Sequence, residues 1–220
     1  MRSTATFRRR AVGLAGLAAG LMVLGTGEAQ LGLPSLPLPP LPLPLPGDDP
    51  ADGEATGGAS GVTAVILGNV TSLASTGTLS SPSEPLGIGL STADIFGLGS
   101  AEALHAATMG WTDQVVSETS MGNLVVTVAG TGISADLILS RAKAVSGAGT
   151  TGLSSIEGLS IAGSPITPTG APNEVIWLPG LTVTLNEQIQ SAGGIVVNAL
   201  HVRTLDGLID VVIGSAQAGI

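Results

Sequence analysis

The 220-residue chain contains no cysteine and no tyrosine. Without cysteine there can be no disulfide, no thiolate metal site and no lipid-modified thiol. Stability must come from burial and hydrogen bonds, which a domain of ~150 residues can supply. Aromatic residues amount to two Trp and two Phe. A core built of Val, Leu, Ile and Ala follows, and a stacking platform for bases or sugars is poorly provided. Basic residues are nearly as scarce, at seven Lys and Arg against sixteen Asp and Glu.

Most of that basic charge lies at the start. Arg2, Arg8, Arg9 and Arg10 precede an apolar run at residues 11–24, and Gly27-Glu28-Ala29 then places small residues at cleavage-compatible positions. A basic stretch, a short apolar stretch and a small-x-small exit read as a secretory signal peptide over residues 1–29. The apolar run is shorter than the ~20 residues of a spanning helix. Arg8-Arg9-Arg10 touches the twin-arginine pattern without the rest of it, so Sec export is expected. An exported product is extracellular or held at the cell surface.

Cleavage after Ala29 leaves three basic against fifteen acidic residues, a net charge of −12. Only Arg141, Lys143 and Arg203 remain to neutralise phosphate, which argues against nucleic acid as a partner. The same deficit argues against anionic membrane surfaces. Membrane contact is expected only through an uncleaved signal segment.

Residues 31–46 alternate Leu with Pro. Proline removes backbone donors and fixes φ, so polyproline II is the remaining local conformation, a semi-rigid spacer. Residues 47–61 continue as an acidic, Gly-rich linker. Asp48, Asp49, Asp52 and Glu54 lack the spacing of a calcium loop. The expected organisation is therefore a signal peptide at 1–29, a proline-rich and acidic linker at 30–61 and a folded domain at 62–220.

Within the domain, short apolar runs alternate with turn residues. Residues 62–67 form the first strand candidate, and over 68–123 periodicity does not decide between helix and strand. Ser81-Pro82-Ser83-Glu84-Pro85 reads as a loop. Residues 124–129 read as a strand, Gly130-Thr131-Gly132 as a turn and 133–145 as a long strand. On that strand Ile133, Ala135, Leu137 and Leu139 are expected on one face, followed by Arg141 and Lys143. Residues 147–152 read as another turn. Further on, Val175 to Leu178 form a short run between Pro172-Asn173 and Pro179-Gly180. Leu181, Val183, Leu185 and Ile189 alternate with polar residues, the period of a strand buried on one face. Only Glu187 interrupts the series. Ser191-Ala192-Gly193-Gly194 closes a hairpin. Residues 195–202 then carry apolar groups on both faces, as a strand covered on both sides would. Asp206-Gly207 turns into a third run at 208–213. Runs joined this tightly pair only as antiparallel neighbours, because a parallel crossover needs about a dozen residues. The expected fold is all-β, an antiparallel β-sandwich or barrel-like meander, with a solenoid not excluded.

The same region carries a resemblance. Ile161-Ala162-Gly163-Ser164-Pro165-Ile166, Gly170-Ala171-Pro172-Asn173 and Leu185-Asn186-Glu187-Gln188 are similar to segments of the choice-of-anchor P family. So are Val197-Asn198-Ala199-Leu200-His201-Val202 and Asp210-Val211-Val212-Ile213-Gly214-Ser215-Ala216. The resemblance runs from about residue 135 to Ile220, and Gln217 stands where the family would place a His. It implies export to the bacterial surface or medium and a β-rich domain, and it implies no activity.

Three motifs invite catalytic readings. Gly130-x-Gly132-x-x-Ala135 follows a strand, but a dinucleotide loop must open a helix and the next segment alternates as a strand does. Ser140-x-x-Lys143 imitates an acyl-enzyme motif, but on a strand residues three apart point to opposite faces. His201 has no nucleophile-elbow motif to serve, and two distant His give no metal-ligand spacing. No catalytic residue, metal ligand or cofactor is assigned. The one polar patch that the pattern assembles is Asn186, Glu187, Asn198 and His201, on strands joined by the 191–194 turn. It reads as a hydrogen-bonded network fixing strand register, or as a small recognition or Ca²⁺-binding patch. A structural or adhesive surface protein is the expected function. An extracellular hydrolase and a small-ligand or Ca²⁺-binding module are the alternatives. Envelope attachment or self-association would use an open strand edge, with 208–213 the candidate.

Overall fold

The structure, a computed structural model, describes residues 55–79 and 85–220. The signal stretch, the proline-rich stretch and most of the acidic linker lie outside these residues, as does most of the 81–85 loop. All described residues belong to one compact unit, Gly47–Ile220.

Thirteen strands follow one another: β1 (Thr56–Ile66), β2 (Asn69–Thr78), β3 (Leu86–Asp94), β4 (Gly99–Gly110), β5 (Gln114–Val128), β6 (Thr131–Val145), β7 (Gly149–Glu157), β8 (Ser160–Ile161), β9 (Ser164–Pro165), β10 (Glu174–Leu178), β11 (Leu181–Ser191), β12 (Gly194–Thr204) and β13 (Ile209–Gly219). They form two antiparallel sheets that do not close into a barrel. Sheet A has the order β10-β11-β12-β13-β1-β2, and sheet B the order β3-β4-β5-β6-β8-β9 with β7 also on β6. Tight turns enforce the neighbour pairing: Val128 pairs Thr131 across Ala129-Gly130, and Ser191 pairs Gly194 across Ala192-Gly193. The Gly130 motif is thus a hairpin turn and not a nucleotide loop.

Several expectations are corrected. The first described strand begins at Thr56 rather than at residue 62, because the small residues of the linker's end, Gly57 to Ser60, pair with β13. The 147–152 turn is only Ser146 to Ala148, and Gly149 to Gly152 open β7. Within the undecided stretch, residues 101–109 take the strand alternative, in β4. The run at 208–213 is no edge, since β13 lies between β12 and β1. The open flank of sheet A is instead β10 at one side and β2 at the other.

The buried face of several strands changes phase midway, a device that the alternation pattern conceals. Midway along sheet A, Asn186, Ala199, Gly214, Gly61 and Ala74 lie opposite one another between paired neighbours on five successive strands. Asn186, Gly214 and Ala74 there have φ of +48°, +66° and +49°. A left-handed residue within a strand rotates the chain, so the inward positions change parity. On β12 the inward residues are Ile195 and Val197 before the row, then Leu200, Val202 and Thr204 after it. What reads as a strand with two apolar faces is one buried face that changes phase.

Sheet B has a matching row through Asn123, Asp136 and Gly158, with Asn123 and Gly158 left-handed, and the left-handed Ala103 sits at a register shift between β4 and β5. On β6, Ile133 and Ala135 face inward, and beyond Asp136 the buried set becomes Ile138, Ser140, Ala142 and Ala144. Leu137 is exposed as a result, contrary to the single face expected for it. The shift at Asn186 in sheet A likewise leaves Ile189 of β11 exposed.

The two rows divide the core. On one side large aliphatics fill it, with Leu104, Leu124, Ile133, Leu181, Leu185, Leu200 and Ile213 buried together. On the other side the sheets meet over Val115, Ala142, Ala144, Val197, Ala216 and Ala218. Small residues let the sheets close in there. A Cβ on Gly57 would come within 2.7 Å of Val115 Cγ1, and one on Gly152 would collide with Val197 Cγ2 and reach 2.8 Å from Ile195 Cδ1. Buried hydroxyls bridge this narrow end: Ser117 donates to the Gln217 carbonyl across the sheets at 2.6 Å and also bonds Thr108, while Thr119 and Ser140 pair at 2.7 Å.

A prediction arises here. Valine raises β-propensity over glycine, so strand preference alone would make Gly152→Val stabilising. Packing density leaves no room for it, and overpacking of this kind costs about 1–3 kcal/mol. The expected outcome is a lower midpoint in urea unfolding with an unchanged slope.

Candidate functional site

The polar patch forms on the outer face of sheet A, at the centre of β11, β12 and β13. Glu187 pairs with Asn198 across β11 and β12, and Arg203 pairs with Asp210 across β12 and β13. Parity then sets the faces. On β12 Leu200 and Val202 point inward, so His201 and Arg203 point out. On β13 Val211 points inward, so Asp210 points out. The change of phase at Ala199 brings Asn198 onto the same outer face as His201, three residues on.

His201 is clamped on both sides. Its Nδ1 lies 2.9 Å from Glu187 Oε2 and its Nε2 lies 2.8 Å from Asp210 Oδ1. Glu187 Oε2 also accepts from Asn198 Nδ2 at 2.6 Å, and Asp210 Oδ2 accepts from Arg203 Nε at 2.9 Å. The chain of contacts is Asn198–Glu187–His201–Asp210–Arg203. The hydrogen bond to Glu187, then its negative charge and the contact with Asp210, raise the His201 pKa above its ordinary value, against burial that would lower it. The His201 hydrogen bond holds Glu187 below the usual carboxylate range, with Asn198 assisting and burial opposing. An imidazolium donating from both ring nitrogens satisfies the geometry.

That arrangement fixes what the cluster can do. A doubly engaged imidazolium has no lone pair with which to act as a base or a metal ligand. Glu187 and Asp210 sit against opposite nitrogens and so do not converge on one point. Among the described residues no group of three or more His, Asp or Glu is placed to hold a metal ion. What the cluster does provide is cross-strand ion pairing, which favours one register of β11, β12 and β13 over any other. One atom is left over: Asn198 Oδ1 is buried without a hydrogen-bond partner.

Three of the four expected residues therefore meet. Asn186 does not join them, because its left-handed backbone lies in the row where β11 changes phase. Its Nδ2 donates to the Gly170 carbonyl at 2.9 Å, and its Oδ1 accepts from Gln188 Nε2 at 3.0 Å. With Asn173, whose Oδ1 accepts from the Gln188 backbone N–H at 2.9 Å, it fastens the loop before β10 onto β11. Asp210 and Arg203 also belong to the cluster, although strand alternation alone does not single them out. The signal was present: counting outward from the Asp206-Gly207 turn places them opposite each other with unlike charge.

The other motifs are taken up by structure. Ser140 is buried against Thr119, and Lys143 lies on the opposite face of β6. No known protein family, curated protein or solved structure matches this chain, and its class rests on the architecture: an all-β protein of two open antiparallel sheets.

Proposed function

We propose that the chain is an exported bacterial surface or secreted protein with a structural or adhesive role and no catalytic activity. The observation that carries this reading is the closure of the His201 cluster. Its titratable side chains are spent on one another, holding three strands in register, and none is left to attack or to bind a reacting group. Catalytic groups need free valences and an adjoining cleft. The basic and apolar start of the sequence, the acidic balance of the remainder and the resemblance to choice-of-anchor P proteins support export. The orphaned Asn198 Oδ1 favours a second reading, a small-ligand or ion-binding module, since a buried oxygen without a donor is where a water or a cation would sit.

Fractionation of the native host with mass spectrometry of the mature N-terminus tests the first reading. A chain beginning at Gln30 in the medium or on the envelope is the expected result. An intact Met1 end in the cytoplasm would overturn export. Isothermal titration of the purified chain with Ca²⁺ tests the second reading, and heat that vanishes in Asn198→Ala would establish it over the first.

A further inference from the structure

Open sheets leave edge strands, and an uncovered edge presents a row of unpaired N–H and C=O groups to any other strand. On one flank of this sandwich the edges are guarded. β10 is five residues long and sets Glu174 on the inward face with Ile176 and Leu178, a charge that discourages further pairing. β9 has two residues, one of them Pro165. β7 spends its Gly152 carbonyl on Gln188 Nε2, which reaches across from sheet A at 3.2 Å.

The opposite flank lacks these devices. β2 ends sheet A there, β3 ends sheet B, and the two strands lie against each other. β2 runs for ten residues with no proline and no charged side chain. In β3 the sole charge is Asp94, its last residue. The first half of β2 is a regular ladder. Leu67 and Gly68 both have positive φ, +50° and +82°, the two-residue turn whose flanking pair, Ile66 and Asn69, is hydrogen-bonded. Antiparallel bonding alternates from there, so Asn69, Thr71 and Leu73 bond to β1. Val70 and Ser72 turn their N–H and C=O to the open side, where sheet A has no further strand. The side chains are bare as well. Val70 is 68% exposed on the outer face. Thr71 lies opposite the buried Ala64, on the inner face, and is exposed too.

We propose that β2, over Asn69 to Leu73, pairs antiparallel with the same edge of a second copy and joins the two copies of sheet A into one. The strand is its own complement. Turned about a two-fold axis, the Val70 and Ser72 groups of one copy meet those of the other, each supplying a donor and an acceptor. Such an axis sets a strand against itself, which like charges would oppose and an uncharged strand allows. The guarded flank then limits the assembly, so pairing closes at two copies and does not run on as a fibre. A ladder of this length is small beside the roughly 1,200 Å² of a stable interface, and β3 on the same flank supplies a second edge to widen it.

The test is sedimentation equilibrium of the full chain combined with amide hydrogen exchange. The expected result is a monomer–dimer equilibrium that Val70→Lys weakens about tenfold or more, because it brings two cations together at the axis. Mixing Val70→Lys with Val70→Glu chains should restore the dimer, a rescue that misfolding of either variant would not give. In the wild type the Val70 and Ser72 amides should exchange slowly only at dimer-forming concentrations. The Thr71 and Leu73 amides, bonded within the chain, should be slow at every concentration. All these chains carry the apolar stretch at 11–24, so only the differences between them report on β2. A wild type that stays monomeric would overturn the proposal. So would a dimer that Val70→Lys leaves unchanged, or Val70 and Ser72 amides that exchange equally fast in monomer and dimer.

Discussion

Gly214→Val is expected to destabilise the domain by about 3–4 kcal/mol. Two separate costs combine. Gly214 has a φ of +66° on β13, where a side chain, and a β-branched one above all, is strained by roughly 1–2 kcal/mol. A Cβ there would also lie 3.2 Å from both Ala199 Cβ and Ile138 Cγ2. Neither neighbour can give, since Ala199 is fixed to its strand and Ile138 is β-branched and fully buried. For a domain of this size each kcal/mol moves the melting temperature by about 2–4 °C, so a fall of roughly 10 °C is expected in calorimetry. Gly130→Ala supplies the control. Its φ is +79° but nothing lies within 4 Å of a Cβ, so it should show the backbone cost alone, about 1 kcal/mol. Equal losses in the two variants would mean that the facing rows of the two sheets do not pack as described.

The second large effect concerns His201 and has a pH signature. Because the folded state raises the His201 pKa, the stabilisation its charge provides is complete below the ordinary value of about 6.5 and is lost as pH rises through the raised value. Glu187 has the opposite sign. Its lowered pKa provides stabilisation that is present above the ordinary value of about 4.5 and is lost as pH falls through the lowered value. Both contributions are complete only between those two ordinary values, so the cluster stabilises most at about pH 4.5–6.5. His201→Gln at pH 6 leaves two carboxylates without their shared cation. Removing one partner of a fully buried pair costs 3–5 kcal/mol and of an exposed pair under 1, so about 2 kcal/mol is expected at this partly buried site. Stability measured by urea denaturation from pH 5 to 9 should decline in the wild type above about pH 6.5 and stay flat in the variant. Parallel curves would show that His201 contributes packing and not charge.

How much of this was legible follows from the range of the interactions. Hairpin pairing is local: Ala192-Gly193 and Ala129-Gly130 leave adjacent runs no partner but each other. The parity change is not local. Asn186, Ala199 and Gly214 are unremarkable singly, and they matter because pairing aligns them in one row across sheet A. A reading by strict alternation therefore put Leu137 and Ile189 inside and Asn186 beside Glu187. It also took β13 for an edge, since β1, which covers it, lies some 150 residues earlier in the chain.

The sequence by itself determined the all-β class, the antiparallel order of β10 to β13 and the meeting of Glu187, Asn198 and His201, because turn chemistry and nearest-neighbour pairing act over a few residues. Only the tertiary structure decided the pairing of β1 with β13, the two rows that rotate each sheet midway, and the placing of Asp210 and Arg203 at the end of the His201 chain. Those features depend on contacts between segments far apart in the chain, and no local preference encodes which distant strand will lie alongside.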